Sequence, residues 1–285
     1  MPIELLVQAL LNGFGLAVVY ILVALGLTLI FSILEVINFA HGEFYMLGGF
    51  AAYYLFAVGG LNYVATLVLA VLLVGLAGVV AERLVFRHLR GKTLNAFIVS
   101  LGLLWVLQAT AQLSFGVLDK SVPSAVSGIV RVGGVIVSRE RLFVILTAVA
   151  LIVGLYLFLK FTRTGQAMRA VAQDAEAAAL QGVNIELTSA LGFGIGCALA
   201  GAAGALLAPI FAVSPTMGAL PVVKAFIIIV GGMGSLPGAV LGGLLLGAVE
   251  GVGTLFMSSA AVNILGFLMV IAILLLRPRG LLGAA

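Results

Sequence analysis

Residues 5–33, LLVQALLNGFGLAVVYILVALGLTLIFSI, contain no charged side chain. A run of about 20 apolar residues is long enough to cross the hydrocarbon core of a bilayer as a helix. Residues 1–4 lack the basic residues of a secretory signal, and the run is too long for the apolar part of one. We therefore expect this segment to stay in the protein as its first membrane span, with Asn12 and Tyr20 as strongly polar interruptions.

The whole chain has the composition of a membrane protein. Of its 285 residues, 64% are hydrophobic and only 8% are charged, and the mean hydropathy is +1.33. A soluble domain carries about 25% charged residues. The composition predicts an all-α, polytopic membrane protein with a single transmembrane domain over residues 1–285 and about eight to ten spans, including broken or re-entrant segments. Further apolar segments fall near residues 44–58, 61–81, 94–115, 141–160, 188–213, 222–232, 236–256 and 260–276.

The basic residues cluster at the ends of apolar segments, as the positive-inside rule predicts for cytoplasmic loops. The net charge of +4 and the pI near 9.5 therefore indicate membrane lipid as a partner rather than nucleic acid. The clusters that we place in the cytoplasm are Arg83/Arg87/Arg90/Lys92, Lys160/Arg163/Arg169 and Arg277/Arg279.

Residues 116–140 form a loop of mixed charge with Pro123 and several glycines and serines. We place this loop outside the cell and expect a small hairpin around Gly133-Gly134. The single cysteine, Cys197, has no partner for a disulfide.

Residues 161–187, FTRTGQAMRAVAQDAEAAALQGVNIEL, are the longest polar stretch with helix-forming residues. They predict one helix over residues 164–181, with Gly182 as a left-handed C-terminal cap. We expect this helix to be cytoplasmic and to dock a partner. Its small-apolar side contains Met168, Val171, Ala175, Ala178 and Ala179, and its polar side contains Arg169, Gln173, Asp174, Glu176 and Gln181.

Two interruptions of apolar segments predict broken helices. Residues 224–232, KAFIIIVGG, read as a half-helix that is followed by a break over residues 231–238. Residues 35–43, EVINFAHGE, interrupt the N-terminal half in a similar way. Because broken helices at membrane depth need protein or a water-lined cavity around them, the two breaks predict an internal two-fold repeat with a site at its interface.

Polar residues at these breaks are the candidates for a translocation pathway or for the breaks themselves: Asn38, His41, Glu43, Gly231, Gly232, Gly234 and Ser235. An ionisable residue at membrane depth costs about 2.5–3.5 kcal/mol on insertion scales, so it needs a structural or functional role. We expect no metal and no cofactor, because no second histidine lies near His41. Lys224 and Glu250 are further charges in apolar segments, and the sequence does not decide whether they pair, reach a headgroup or face a pathway.

No Gly-x-x-x-x-Gly-Lys-[Ser/Thr] phosphate loop occurs in the chain. A membrane protein with a docking helix and no nucleotide site is typical of a transporter whose ATPase is a separate chain. Four motifs in order resemble the branched-chain amino acid permease family of ABC importers, and in particular its LivH-type subunit. They are VINFAHGE (residues 36–43), GQAMRAVAQDAEAAALQG (165–182), GGMGSLPGAVLGG (231–243) and RPRGLLG (277–283).

The resemblance implies a multi-pass subunit of the bacterial inner membrane that is not itself an enzyme. Its implied partners are a LivM-like second permease subunit, two cytoplasmic ATP-binding subunits and a periplasmic substrate-binding protein. The implied substrate is leucine, isoleucine or valine, or a related small polar solute such as urea or an amide. The helix over residues 164–181 becomes the coupling helix, and its expected contacts are Arg169, Gln173, Asp174, Glu176 and Gly182.

Two other functional classes remain open from the residues alone. A secondary transporter or channel driven by an ion gradient would suit the broken helices and the intramembrane Glu43 or Glu250. An intramembrane enzyme would use His41 and Glu43, although no serine or cysteine nucleophile adjoins them.

Overall fold

The computed structural model describes residues 3–132, 134–232 and 235–276, and most of these residues are helical. A π-helical turn, Tyr53–Val58, continues the second helix, and a 3-10 turn, Phe86–Leu89, follows the third. The α-helices in the described residues are α1 (Ile3–Leu34), α2 (His41–Ala52), α3 (Tyr63–Leu84), α4 (Thr93–Phe115), α5 (Arg139–Phe161), α6 (Arg163–Gln173), α7 (Ala175–Leu180), α8 (Ile185–Leu207), α9 (Ala219–Gly232), α10 (Leu236–Gly253) and α11 (Ser259–Leu276).

Six helices among the described residues are long and apolar enough to cross a membrane, namely α1, α3, α4, α5, α8 and α10. Of the other helices in apolar segments, α2 and α9 have 12 and 14 residues, and the apolar part of α11 that counts toward a span is Ser259–Ile273. The predicted all-α, polytopic architecture is confirmed. Against the predicted eight to ten spans, the described residues contain six helices of this kind, and α2, α9 and α11 occupy the remaining apolar segments.

Polar side chains at the predicted segment ends set where several helices begin. The Asn62 side chain accepts a hydrogen bond from Val64 N at 2.8 Å at the start of α3. Asn184 accepts one from Leu187 N at 2.9 Å at the start of α8. Such caps satisfy backbone N–H groups that the first helical turn leaves free.

The loop over residues 116–140 forms the predicted hairpin. Strand β1 (Ile129–Val132) pairs antiparallel with β2 (Val135–Ser138), and Gly134 has φ +84° at the turn. The hairpin lies beside the start of α1, where Ile136 N donates to Gln8 Oε1 at 2.9 Å. We call this side of the helix bundle the hairpin end. The opposite side, where α5 runs into α6, is the α6–α7 end.

The long helices α1 and α8 cross at a pair of glycines near the middle of the bundle. A Cβ atom built on Gly26 would lie 2.5 Å from Gly196 O, and one on Gly196 would lie 2.6 Å from Gly26 O. Only glycine lets the two backbones approach this closely. The crossing is therefore symmetric, with each helix presenting its glycine to the backbone of the other.

Helices α1–α4 and α8–α11 form two halves with the same order of elements and opposite direction. Each half has a long helix, a non-helical segment and a short helix, α2 or α9. The next helix then packs on the long helix of the other half, α3 on α8 and α10 on α1. The short helices meet where a Cβ on Gly42 would lie 2.5 Å from Gly218 O. This arrangement is an internal repeat with inverted orientation, as expected. The pairing of the two predicted breaks is wrong, because the segment before α2 corresponds to residues 208–218 before α9 and not to the break after α9.

The prediction of a single helix over residues 164–181 is wrong. Asp174 separates α6 from α7 because its backbone is extended, with φ −159° and ψ 105°. Its Oδ1 accepts a hydrogen bond from Ala177 N at 2.9 Å and so caps α7. Aspartate favours this capping geometry over a helix interior, and the propensities of the flanking residues concealed it. The predicted cap at Gly182 is confirmed, since its φ is +84° and Val183 N donates to Ala178 O at 3.1 Å.

Candidate functional site

The segment between α1 and α2, residues 35–40, is the first break. It begins at Glu35, a non-glycine residue in the left-handed region with φ 55°. Within it, Ala40 N donates to Asn38 Oδ1 at 3.0 Å. From α4, Ser100 Oγ accepts a hydrogen bond from Phe39 N at 3.2 Å and lies 3.2 Å from Ile37 O. These side chains replace the helical hydrogen bonds that the break removes, which is the condition for irregular backbone at membrane depth.

Asn38, His41 and Glu43 are deeply buried around this break, as their spacing suggested. Asn38 and His41 are fully buried, and Glu43 is 3% exposed. His41 Nε2 lies 3.1 Å from Val23 O, which ties the start of α2 to the middle of α1. Asn38 Nδ2, His41 Nδ1 and Glu43 Oε2 have no hydrogen-bond partner among the described residues. The break thus holds both paired polar atoms, which fix it, and unpaired ones, which are costly in an apolar interior.

The second predicted break, residues 231–238, is helical at both sides, since α9 extends to Gly232 and α10 begins at Leu236. The short length of α9 confirms the predicted half-helix, and Gly231 and Gly232 are its last two residues. Gly234 lies outside the described residues. Ser235 caps α10, since its Oγ accepts a hydrogen bond from Gly238 N at 3.1 Å. The first break meets α9 through the rings of Phe39 and Phe226, whose centroids are 4.7 Å apart, rather than at the glycines where α9 ends.

A buried charge cluster, formed by Lys224, Glu250 and Tyr20, was not identified from the sequence. Lys224 Nζ lies 2.6 Å from Glu250 Oε1 and donates a hydrogen bond to Tyr20 Oη at 2.9 Å. Tyr20 Oη donates to Glu250 Oε2 at 3.2 Å. The ammonium also lies 4.6 Å from the centre of the Tyr20 ring. The cluster joins α1, α9 and α10. In the sequence, its only signal was that Lys224 and Glu250 are charged residues within apolar segments.

The α6–α7 element, residues 163–180, packs its apolar side against the bundle. Met168, Val171 and Ala178 are buried, as predicted from the helical periodicity. Ala175 and Ala179 are exposed, contrary to the prediction, because the break at Asp174 changes the helical phase. The close approach to α5 needs glycine at position 165, where a Cβ would lie 2.5 Å from Leu159 Cα.

The outward side of the α6–α7 element carries the predicted polar residues and one unpredicted apolar residue. Arg169, Gln173, Asp174, Glu176 and Gly182 are all exposed. Leu180, the last residue of α7, is 87% exposed. A leucine that protrudes beside charged side chains outside the membrane-spanning helices is typical of a contact surface for another protein.

A polar groove lies next to this element at the same end of the bundle. Its volume is about 310 Å³, and Arg87 and Glu186 bridge it with an ion pair of 2.8 Å. Arg90 forms a second ion pair with the buried Glu82. The residues that line the groove are Glu82, Arg83, Arg87, Asn184, Glu186 and Leu187.

The fold and these sites define a polytopic membrane transport protein: inverted halves with broken helices, a charge cluster within the helix bundle, and an exposed helical element at one end. Residues 9–275 match the family described as the permease component of branched-chain amino acid transport systems. The chain belongs to this family, the permeases of ABC importers.

Individual relatives cover nearly the whole chain. LivH of Escherichia coli K12, a high-affinity branched-chain amino acid transport system permease protein, is 35% identical over 293 residues, which are 97% of this chain and 95% of that protein. BraD of Pseudomonas aeruginosa, with the same description, is 36% identical over 292 residues, 97% of this chain and 95% of that protein. A probable LivH of Methanocaldococcus jannaschii is 30% identical over 289 residues, 92% of this chain and 88% of that protein. No solved structure matches the chain.

These findings confirm the predicted class. The chain is a multi-pass inner-membrane transport permease, since its relatives are transport permeases and its long apolar helices fit repeated membrane crossing. Transport by such a subunit requires differential contacts with solute and partners in two conformations rather than covalent chemistry.

Proposed function

We propose that this chain is the subunit of an importer that carries branched-chain amino acids inward and is driven by ATP hydrolysis on partner chains. The observation that carries the proposal is the α6–α7 element, whose buried side rests on the bundle and whose exposed side presents Leu180 among charged residues. A carrier that works alone has no need of such a surface. The substrate class follows from the names of the relatives.

The proposed complex contains this chain, a LivM-like second permease, two ATP-binding subunits and a periplasmic binding protein. The α6–α7 end faces the cytoplasm, because Arg83, Lys92 and Lys160 are clustered there. The hairpin end, with residues 116–140, then faces the periplasm and receives the loaded binding protein. In this orientation α1 begins on the periplasmic side.

The packing supports a mechanical role for the α6–α7 element. Gly165 places α6 directly against the end of α5, and α6 also packs on α1 and α8. Closure of the ATPase pair would push on this element, and the tightly crossed α1 and α8 would move with it as a rigid body. Exposed groups at Arg169, Gln173, Glu176 and Leu180 would contact the ATPase, while Asp174 and Gly182 would mainly shape the element.

Charge reversal at Arg169 tests the docking surface. We expect Arg169→Glu to lower uptake per ATP hydrolysed on the order of tenfold, because a charge pair at an interface contributes both attraction and orientation. Uptake and ATP hydrolysis are measured together in proteoliposomes that contain the full complex. Lys92→Glu is the matched control, since this exposed residue at the same end makes the same change of charge outside the α6–α7 element. If uptake per ATP hydrolysed is the same in the two variants, Arg169 does not lie in the docking surface.

We propose that Asn38, His41 and Glu43 shape the start of α2 beside the pathway. Gly231 and Gly232 at the end of α9, Ser235 at the start of α10 and Gly234, which lies outside the described residues, complete the proposed pathway set. The expected result for Asn38→Ala is uptake reduced at least about fivefold with normal assembly, because the hydrogen bond to Ala40 N that orders the break is worth about 1 kcal/mol. Uptake and the yield of assembled complex are compared with wild type. Loss of the assembled protein would instead assign Asn38 a purely structural role.

A further inference from the structure

The Lys224–Glu250–Tyr20 cluster lies inside the helix bundle, between the crossing of α1 with α8 and the hairpin end. Along α1, Asn12 contacts Arg141 near the start of α5 at the hairpin end. Tyr20 follows Asn12 by eight residues, or about 12 Å of helix. Glu250 lies nearer the hairpin end, because a Cβ on the next residue, Gly251, would lie 2.4 Å from Ala9 O. The cluster therefore holds two full charges within the apolar bundle, where their side chains are 13% and 7% exposed.

A buried ion pair of this kind is a poor way to stabilise a helix bundle. Removing two charges from water costs about as much as their attraction returns, and an apolar pair of similar size often serves stability equally well. The neighbouring contacts of α10 with α1 already provide close packing, since a Cβ on Gly247 would lie 2.6 Å from Gly13 O. Charges at membrane depth in a transporter are typically part of a solute or ion site.

The chemistry of the cluster matches the head of an α-amino acid. A free amino acid carries an ammonium and a carboxylate that are separated by one carbon, and both charges must leave water during transport. Lys224 offers an ammonium and Glu250 a carboxylate, 2.6 Å apart, and the Tyr20 hydroxyl both accepts from Lys224 and donates to Glu250. Each protein charge is thus the counterpart of one charge of the solute.

We propose that Lys224, Glu250 and Tyr20 recognise the zwitterionic head of the transported amino acid by exchanging their mutual ion pair for two ion pairs with the solute. The proposal rests on the function proposed above. Neutral solutes such as urea or amides would gain nothing from such an exchange, so the cluster favours amino acids among the substrates used by similar permeases.

The placement of the cluster makes this exchange mechanically feasible. Lys224 is on the short helix α9, which ends at the second break, whereas Glu250 is on α10, which starts after that break. A shift of α9 relative to α10 separates the two charges without breaking a continuous helix. Their side chains also remain partly accessible, at 13% and 7% of their surface, so a small solute can approach before the pair opens.

The test replaces the ion pair by uncharged side chains of similar shape. In the full complex with its ATPase subunits, second permease and binding protein, we expect Lys224→Met/Glu250→Gln to assemble and to keep binding-protein-stimulated ATP hydrolysis. Uptake of L-leucine, the probe, should fall more than tenfold. Wild-type uptake by this double variant would overturn the proposal and leave the pair a structural contact.

A second variant decides the question if the double variant does not assemble. Glu250→Asp keeps the charge but withdraws it by one methylene, so we expect an assembled complex whose KM for L-leucine uptake rises at least fivefold. Unchanged KM and maximal rate would contradict the proposed site. Failure of the proposed function is a separate result, because it would appear as absence of ATP-driven uptake in the wild-type complex.

Discussion

Leu180→Asp is expected to abolish most ATP-dependent uptake while leaving the protein inserted and folded. Leu180 is 87% exposed at the end of α7 and makes little contribution to the bundle, so its replacement does not affect packing. On the proposed docking surface it is the only large apolar side chain among the described exposed residues of the α6–α7 element. Burying an aspartate there without a partner would cost at least about 2 kcal/mol, or roughly a 30-fold loss of affinity for the ATPase subunits. Affinity is measured with purified subunits in detergent, and uptake in proteoliposomes.

The control for this prediction is Leu180→Met, which keeps an apolar side chain of similar volume. It should retain ATPase binding and uptake near the wild-type level. If Leu180→Asp binds the ATPase subunits as tightly as Leu180→Met does, Leu180 does not lie in the interface.

Gly26→Val is expected to prevent formation of a stable bundle. A Cβ at position 26 would lie 2.5 Å from Gly196 O and 3.2 Å from His41 Cε1, so the clash involves backbone at the crossing of α1 and α8. Overpacking usually costs about 1–3 kcal/mol, and more where backbone cannot move, so we expect at least about 3 kcal/mol here. The yield of monodisperse protein and its unfolding temperature in detergent are the measurements.

The matched control for Gly26→Val is Gly154→Val on α5. A Cβ at position 154 has no atom within 4 Å among the described residues. This variant introduces the same side chain into another membrane-spanning helix, so it should unfold within a few degrees of wild type. Equal stability of the two variants would show that the glycine crossing does not determine the fold.

Much of the helical framework could be predicted from hydropathy because lipid selects long apolar segments. The apolar segment predicted over residues 94–115 corresponds to α4 (Thr93–Phe115), and the one over 141–160 corresponds to α5 (Arg139–Phe161). The half-helix before residue 233 could be predicted for the same reason, because the apolar run is too short to cross the membrane. The division of residues 164–181 into two helices could not be predicted in this way. It depends on one side chain, Asp174, that caps the second helix.

The candidate site was predictable only where its residues are close in sequence. Asn38, His41 and Glu43 were identified because polar residues interrupt an apolar segment over a few positions. The charge cluster was missed because Tyr20 is 204 residues from Lys224 and 230 from Glu250, so only the tertiary packing of α1 against α9 and α10 brings them together. The exposure of Leu180 could not be predicted from the sequence either, because an isolated leucine in an amphipathic helix normally belongs to the buried side.

In the proposed mechanism, ATP hydrolysis on partner subunits drives transport through this chain. The measurement is L-leucine uptake into proteoliposomes that contain the permease pair, with the binding protein present outside for import. Uptake is compared with and without the ATPase subunits and ATP, and with an imposed proton or sodium gradient. We expect uptake only when ATPase subunits and ATP are both present, whatever the ion gradient. Uptake that a proton or sodium gradient drives in the absence of ATPase subunits would contradict it.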